Sequence, residues 1–249
     1  MIDRCTLLMF LLLTTFVSLA QPDTLKADLP KEKIPLSAFL LSAGLISYGV
    51  IALNNHPLQS VDHSIREVVW EDNPHRVFPL DDYLQYAPGA AVYVLNAFGI
   101  KGKNNFRDRT IIYLMANALM GVTVESLKKT ISAERPDGSG KDGFPSGHVG
   151  TAFVAAEFLR QEYKDISPWY GVAGYAAAIG TGFLRVYNDK HWFSELLPGA
   201  GIGILSTKIA YWVYPTIQRH LFRRHATNLV AMPFYQSGTA GLSINYLFH

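Results

Sequence analysis

The strongest constraint on this chain is its recurring long apolar runs. Ile34 to Leu53 is a stretch of twenty residues without one charge, and about 20 such residues are what a membrane-spanning helix needs. Five weaker runs follow, over Tyr86 to Ile100, Thr110 to Val124, Val149 to Leu159, Trp169 to Leu184 and Leu196 to Tyr214. They are rich in glycine and alanine, as in GYAAAIGTGF and PGAGIGIL. Small residues let helix backbones approach closely where lipid supplies no hydrophobic drive. The expected fold is therefore all-α, a helical transmembrane bundle of about six spans. A soluble bundle of alanine-rich buried helices is the alternative. Glu157 and Lys208 inside two runs, and a mean hydropathy of only +0.12, keep it open.

Loop charges favour the membrane reading. Lys101, Lys103, Arg107 and Arg109 precede the third run, Arg160 and Lys164 separate the fourth from the fifth, and Arg219, Arg223 and Arg224 follow the sixth. If all six runs span, these clusters share one side, which the positive-inside rule assigns to the cytoplasm. The loops Leu127 to Ser146 and Arg185 to Ser194 then face the other way. A net charge of +2 supplies no field for nucleic acid. Cys5 is the single cysteine, so neither an intramolecular disulfide nor a cysteine metal site is available.

The ends of the chain have a different texture. Arg4, the run LLMFLLLTTFVSLA and the small-x-small triplet Ser18-Leu19-Ala20 give residues 1–20 the character of a signal peptide or an N-terminal apolar leader. Residues 21–33 read as a linker and 34–225 as the membrane domain. Cleavage after Ala20 puts the new N-terminus outside, whereas six spans put it in the cytoplasm. Either the leader is not handled as a signal or an early run fails to span, and Tyr86 to Ile100 is the shortest early candidate. Asn54 to Asp82 is polar and is expected to cover the site from the same side; its EVVWEDNPHRVFP portion, lacking a clear period, reads as an interfacial or surface segment. In the tail, 226–249, partial alternation in NLVAMPFY and LSINYLF suggests a β-hairpin.

Chemistry concentrates in three short blocks. Lys128 and Arg135 stand seven apart, with Pro136 next; Pro145-Ser146-Gly147-His148 follows; then come Arg185, His191 and Glu195. Three cations facing one point suit a multiply charged anion, arginine gripping phosphate oxygens in pairs and lysine adding a point charge. Pro145 stops any preceding helix and Ser146-Gly147 opens the next, whose free N–H groups bind an anion further. His191 and Glu195 share a face if both are helical, or are joined by a turn if the helix begins near Ser194. Either way a carboxylate on one ring nitrogen leaves the other free to attack. His148, at another helix start, suits a general acid.

These blocks, KKTISAERP, PSGH and LRVYNDKHWFSE, resemble the type 2 phosphatidic acid phosphatase superfamily, whose pattern is K-x6-R-P, then P-S-G-H, then S-R-x5-H-x3-D. The resemblance covers about 110–214. It implies that His191 is the nucleophile forming a phosphohistidine, that Glu195 orients it, and that His148 protonates the leaving group and then activates water. Lys128, Arg135, Ser146, Gly147 and Arg185 would hold the phosphate, with no metal and no cofactor. Two positions depart from the pattern: Leu184 stands where the family has serine, and Glu195 where it has aspartate.

The expected activity is a membrane phosphatase acting on a lipid phosphate or pyrophosphate at the periplasmic face of a bacterial inner membrane. Lipid A is the first candidate substrate; undecaprenyl pyrophosphate and phosphatidylglycerophosphate follow. The partners implied are that lipid and the membrane, without nucleic acid. A soluble periplasmic acid phosphatase of the class A type and a weakly active lipid-binding member are the alternatives.

Overall fold

The computed structural model describes residues 37–221, 229–236 and 239–246, with side chains to residue 219. The expected leader over 1–20 and linker over 21–33 lie outside the described residues. Eight helices are described: α1 (Ser37–Ala52), α2 (His56–Arg66), α3 (Asp81–Leu84), α4 (Ala87–Ala97), α5 (Phe106–Thr130), α6 (Gly147–Tyr163), α7 (Pro168–Tyr187) and α8 (Phe193–Leu221). A π-helical turn, Glu67–Glu71, continues α2. In the tail, β1 (Leu229–Gln236) and β2 (Thr239–Tyr246) pair antiparallel, with Leu229 opposite Tyr246 and Gln236 opposite Thr239.

Helix boundaries follow local chemistry. Asn105 caps α5 by accepting from the Asp108 amide at 2.9 Å, and Lys128 and Lys129 sit in its last turn, where the helix dipole favours cations. Asn55 caps α2 through Leu58 N, and Pro57 occupies its first turn. Ser167 caps α7 through Trp169 N, again with proline next.

Helix α6 lies at the centre, packed by α4, α5, α7 and α8. Its contact with α8 is backbone to backbone. A Cβ at Gly199 would fall 2.5 Å from the Ser146 carbonyl, and one at Gly203 2.5 Å from the Gly150 carbonyl. These two glycines, four apart on α8, set the distance between the helices and so the position of the α6 start. The main core joins Val92, Ile112, Met120, Val124, Val154, Phe158, Tyr163, Ile202 and Tyr214.

Two helices, over Phe106–Thr130 and Phe193–Arg219, are long and apolar enough to cross a membrane. The pair Ser37–Ala52 and His56–Glu71, bent by 93°, makes a third only if counted as one span. By length and composition alone, two or three spans are thus counted among the described residues. The run over Tyr86 to Ile100 forms the 11-residue α4, about 16 Å long at ~1.5 Å per residue, against a hydrocarbon core of ~30 Å. The run over Val149 to Leu159 lies on α6, which buries Glu157 and Glu162 within the protein. Outward apolar side chains such as Leu114, Val122 and Trp212 on α5 and α8 are what lipid would cover.

The helix ends are chemically segregated. At one end, Glu162 takes Asn104 N at 3.0 Å and Tyr211 Oη at 2.6 Å, while Asp108 takes Tyr214 Oη at 2.7 Å. Lys101, Lys103, Arg107 and Arg109 belong to the segment held there. Arg160 and Lys164 close α6 at this same end. The three blocks that hold Lys128 and Arg135, Pro145 to His148, and Arg185 to Glu195 all lie at the opposite end, where α5 and α7 finish and α6 and α8 begin.

Candidate active site

Lys128 stands in the last turn of α5 and Arg135 in the loop that follows. That loop folds on its own backbone: Arg135 N donates to Gly140 O at 3.0 Å and Gly143 N to Ala133 O at 2.9 Å. Arg135 grips Asp142 with two bonds of 2.9 Å, and Lys128 Nζ lies 3.7 Å from the same carboxylate. Both cations are thereby drawn to one point. Gly143 is required by its neighbours, since a Cβ there would sit 2.5 Å from Glu195 Oε1.

The chain enters α6 through a cis Phe144–Pro145 bond. Ser146 precedes the helix and is fully buried; its amide donates to Glu195 O at 3.1 Å, which ties the starts of α6 and α8 together. Its Oγ has no partner. Gly147 opens the helix beside Lys128, whose Nζ would lie 3.9 Å from a Cβ at that position. His148, next in line, shares Nε2 with Asp82 Oδ1 at 2.9 Å.

The third block closes the site. Arg185, buried near the end of α7, donates from NH1 to Asp81 Oδ2 at 2.7 Å, while its Nε is buried without a partner. His191 lies in the loop before α8 rather than on it, so the turn alternative holds. His191 Nδ1 meets Glu195 Oε2 at 2.9 Å, and the same oxygen accepts from Trp192 N at 3.2 Å. The longer side chain of Glu195 therefore reaches the imidazole at ordinary hydrogen-bond distance, and Nε2 is the ring nitrogen left over. All the expected site residues come together in one cluster. Leu184 is half-buried and contributes no polar atom.

Charge decides the state of the two rings. Burial, and after it the Arg185, Arg135 and Lys128 cations, hold the His191 imidazole well below the usual histidine range. Burial and Arg185 also lower His148, while the bond to Asp82 works against them. A neutral imidazole among cations can attack an electrophile that carries negative charge, and the cations can accept the oxygens of that group. Two orphaned buried donors, Ser146 Oγ and Arg185 Nε, are what such a group would satisfy.

Several contacts at the site join residues that no sequence motif pairs. Asp142 pairs with Arg135, Asp81 with Arg185 and Asp82 with His148. The segment before α4 clasps the His191 loop at several points. Asp62 accepts from Ser194 N at 2.9 Å and from Ser194 Oγ at 2.6 Å. Arg66 forks onto Asp189 at 2.8 and 3.0 Å, and Asp189 itself holds a φ of 56°. His75 reaches Tyr187 O at 2.7 Å. Only Asp142, inside the glycine-rich loop, carried a local signal. Asp81, Asp82 and His148 converge within 4.8 Å, a spacing that metal sites share. Here Asp81 is already satisfied by Arg185 and by Asn188 Nδ2 at 2.9 Å, so the group reads as an ion-pair cluster.

A cleft of about 730 Å³ reaches Arg135 and Glu195 and is lined by Asp62, His63 and Trp192 among others. An apolar groove of about 340 Å³ lies on the flank formed by Val149, Phe153, Val186, Phe193 and Leu196. These residues are sequence neighbours of His148, Arg185 and Glu195.

Comparison with known proteins bears on the same stretch of chain. Over 161 residues the chain is 37% identical to a lipid A 1-phosphatase of Porphyromonas gingivalis; the match takes in 64% of this chain and 36% of that protein's length. The chain thus spans about a third of that relative. Among solved structures, a transmembrane PAP2 type phosphatidylglycerolphosphate phosphatase from Bacillus subtilis superposes with a TM-score of 0.53 at 22% identity, over 74% of this chain and 98% of that one, a likeness of fold. The crystal structure of Aquifex aeolicus LpxE gives a TM-score of 0.42 at 20% identity, over 66% of this chain and 92% of that one. The model of the PAP2 superfamily matches residues 109–219. Lys128, Arg135, Ser146, Gly147, His148, Arg185, His191 and Glu195 all lie inside that stretch, which is similar to the PAP2 superfamily, and gather at one end of its helices.

Proposed function

We propose that this chain is a membrane lipid phosphatase that removes phosphate from a lipid phosphate or pyrophosphate through a phosphohistidine on His191. The observation that carries the proposal is the buried His191–Glu195 pair set among three cations and two unsatisfied donors. The phosphate oxygens bind Lys128, Arg135 and Arg185, with Ser146 Oγ and the Gly147 amide, and take the place of Asp142 on the Arg135 fork. Asp142 is half exposed, so solvent can take over its carboxylate when phosphate displaces it. His191 Nε2 attacks phosphorus in line. The P–O bond to the lipid breaks as His148 gives that oxygen a proton. Water then loses a proton to His148 and attacks phosphorus, the N–P bond breaks, and inorganic phosphate leaves. The cations offset the charge that builds on the equatorial oxygens in both steps.

Lipid A is the favoured substrate, with undecaprenyl pyrophosphate and phosphatidylglycerophosphate next. The likeness to a lipid A 1-phosphatase supports that order, and the apolar groove beside the cradle suits an acyl chain. The site faces the periplasm in this reading, because the basic clusters gather at the opposite helix ends. A soluble acid phosphatase is disfavoured by the two helices long and apolar enough to span. The test is phosphate release by detergent-solubilised protein from lipid A, undecaprenyl pyrophosphate, phosphatidylglycerophosphate, phosphatidic acid and an aryl phosphate, beside His191→Ala. Lipid turnover that vanishes in the variant is expected, together with a ³²P label on the wild-type protein that is stable to base and lost in acid. Lipid turnover that survives the substitution would overturn the nucleophile, and no turnover of any lipid would overturn the function.

A further inference from the structure

Helix α3 is a single turn, and its first two residues are both carboxylates. They do different things. Asp81 is buried and takes Arg185 NH1 and Asn188 Nδ2. Asn188 in turn holds Phe78 from both sides, accepting its N–H at 2.8 Å and donating to its carbonyl at 3.0 Å. The backbone of α3 is therefore pinned to the end of α7. Asp82 follows on this pinned turn, and its side chain, half in solvent, meets His148 Nε2 at 2.9 Å. An exposed carboxylate on a mobile loop would orient nothing. One on an anchored turn holds a ring as Glu195 holds His191.

We propose that Asp82 is the positioning residue for proton transfer in this site: it holds His148 by Nε2 and so directs Nδ1 at the leaving oxygen. The inference rests on the phosphatase reading given above. In the first half-reaction the doubly protonated ring gives its Nδ1 proton to the leaving oxygen as the P–O bond breaks. Nε2–H stays on Asp82. In the second, Nδ1 takes a proton from the attacking water and the ring returns to its starting state. Asp81 and Asp82 on α3, Arg185 on α7 and His191 in its loop are the charged and titratable groups that act on His148. Burial and Arg185 disfavour the protonated ring, and Asp82 is what opposes them. Without Asp82 the acid form should disappear at lower pH.

The experiment compares wild type with Asp82→Asn on two esters, a long-chain alkyl phosphate and a nitrophenyl phosphate. An alkoxide needs a proton to leave, whereas a nitrophenolate does not. General acids supply about a hundredfold or more, so in kcat/KM, which ends at departure of the alcohol and leaves out the shared attack of water, the variant should lose at least about tenfold on the alkyl ester and little on the nitrophenyl ester. The basic limb of its kcat/KM profile on the alkyl ester should move to lower pH, and Asp82→Glu should recover part of the rate. In a His148→Ala background, Asp82→Asn should add no further loss. Equal losses in kcat/KM on both esters would mark a structural role and overturn the proposal. Faster turnover would overturn it too, by showing that the carboxylate competes with substrate for His148. If Asp82→Asn does not fold, Asp82→Ser takes its place with the same readouts. Silence of the wild type on both esters would instead overturn the phosphatase reading.

Discussion

Two histidine–carboxylate pairs stand in one site, and they differ in almost everything but bond length. His191 and Glu195 are four residues apart, meet at 2.9 Å, and are almost wholly buried. His148 and Asp82 are 66 residues apart, also meet at 2.9 Å, and have side chains 32% and 55% exposed. The difference matches two proposed tasks. A nucleophilic ring must be neutral and rigid, which burial among cations enforces. A ring that takes a proton from water and returns it to a leaving group needs contact with solvent. The comparison teaches that a carboxylate beside a histidine is read by its surroundings, not by the bond.

The largest effect should come from the buried pair. His191→Ala is expected to lower kcat by about 10⁴-fold or more on every substrate, as loss of a nucleophile does, checked by phosphate release and by loss of the covalent label. Next comes Glu195→Gln, which can present the wrong hydrogen-bonding group to Nδ1 and should cost roughly 10²- to 10⁴-fold on good and poor leaving groups alike. That uniform loss would separate it from Asp82→Asn. A loss confined to poor leaving groups would erase the distinction between the pairs. Glu195→Asp restores the residue that the family pattern carries, yet the present bond already closes at 2.9 Å. Shortening the side chain should therefore slow the enzyme, within about a hundredfold for a shift of ~1 Å, and a gain in rate would show that the site is slackened by glutamate.

Smaller effects follow from charge. Lys128 helps to hold His191 neutral. Lys128→Met removes a cation that disfavours the protonated ring, so the acid limb of kcat/KM should move to higher pH, measured on the nitrophenyl ester to keep His148 out of the profile. An unmoved limb would place the titration elsewhere. The smallest effect concerns stability. His191 binds its proton more weakly in the fold than in the unfolded chain, where its value is about 6.5. Stability from this group is thus present above pH ~6.5 and is lost as pH falls toward the depressed folded value. The thermal midpoint should drop over that range, and His191→Gln should flatten the slope.

Much of the site was legible because each block is local. Lys128 to Arg135, Pro145 to His148 and Arg185 to Glu195 each fit within one loop and one helix end, where spacing decides which groups can meet. Asp81 and Asp82 were not legible. They end the polar segment expected to cover the site, but no local motif marks them as partners of Arg185 and His148, which stand 104 and 66 residues away. How many of the apolar runs cross a membrane was not legible either. Apolarity signals burial without saying in what. Helix α6 is apolar because protein surrounds it on every side, and α4 because its short length packs on α6.

The sequence by itself determined an all-α core, the side of the bundle on which the loop cations gather, and the three short blocks that carry the two histidines. Helix periodicity, capping and loop charge act over a few residues, so their physics is written locally. Only the tertiary structure decided which apolar helices face protein, that His191 sits in a turn rather than on α8, and which carboxylates meet Arg185 and His148. Those outcomes depend on burial and on contacts between distant segments, and close approaches such as Gly199 against Ser146 set them once the helices pack.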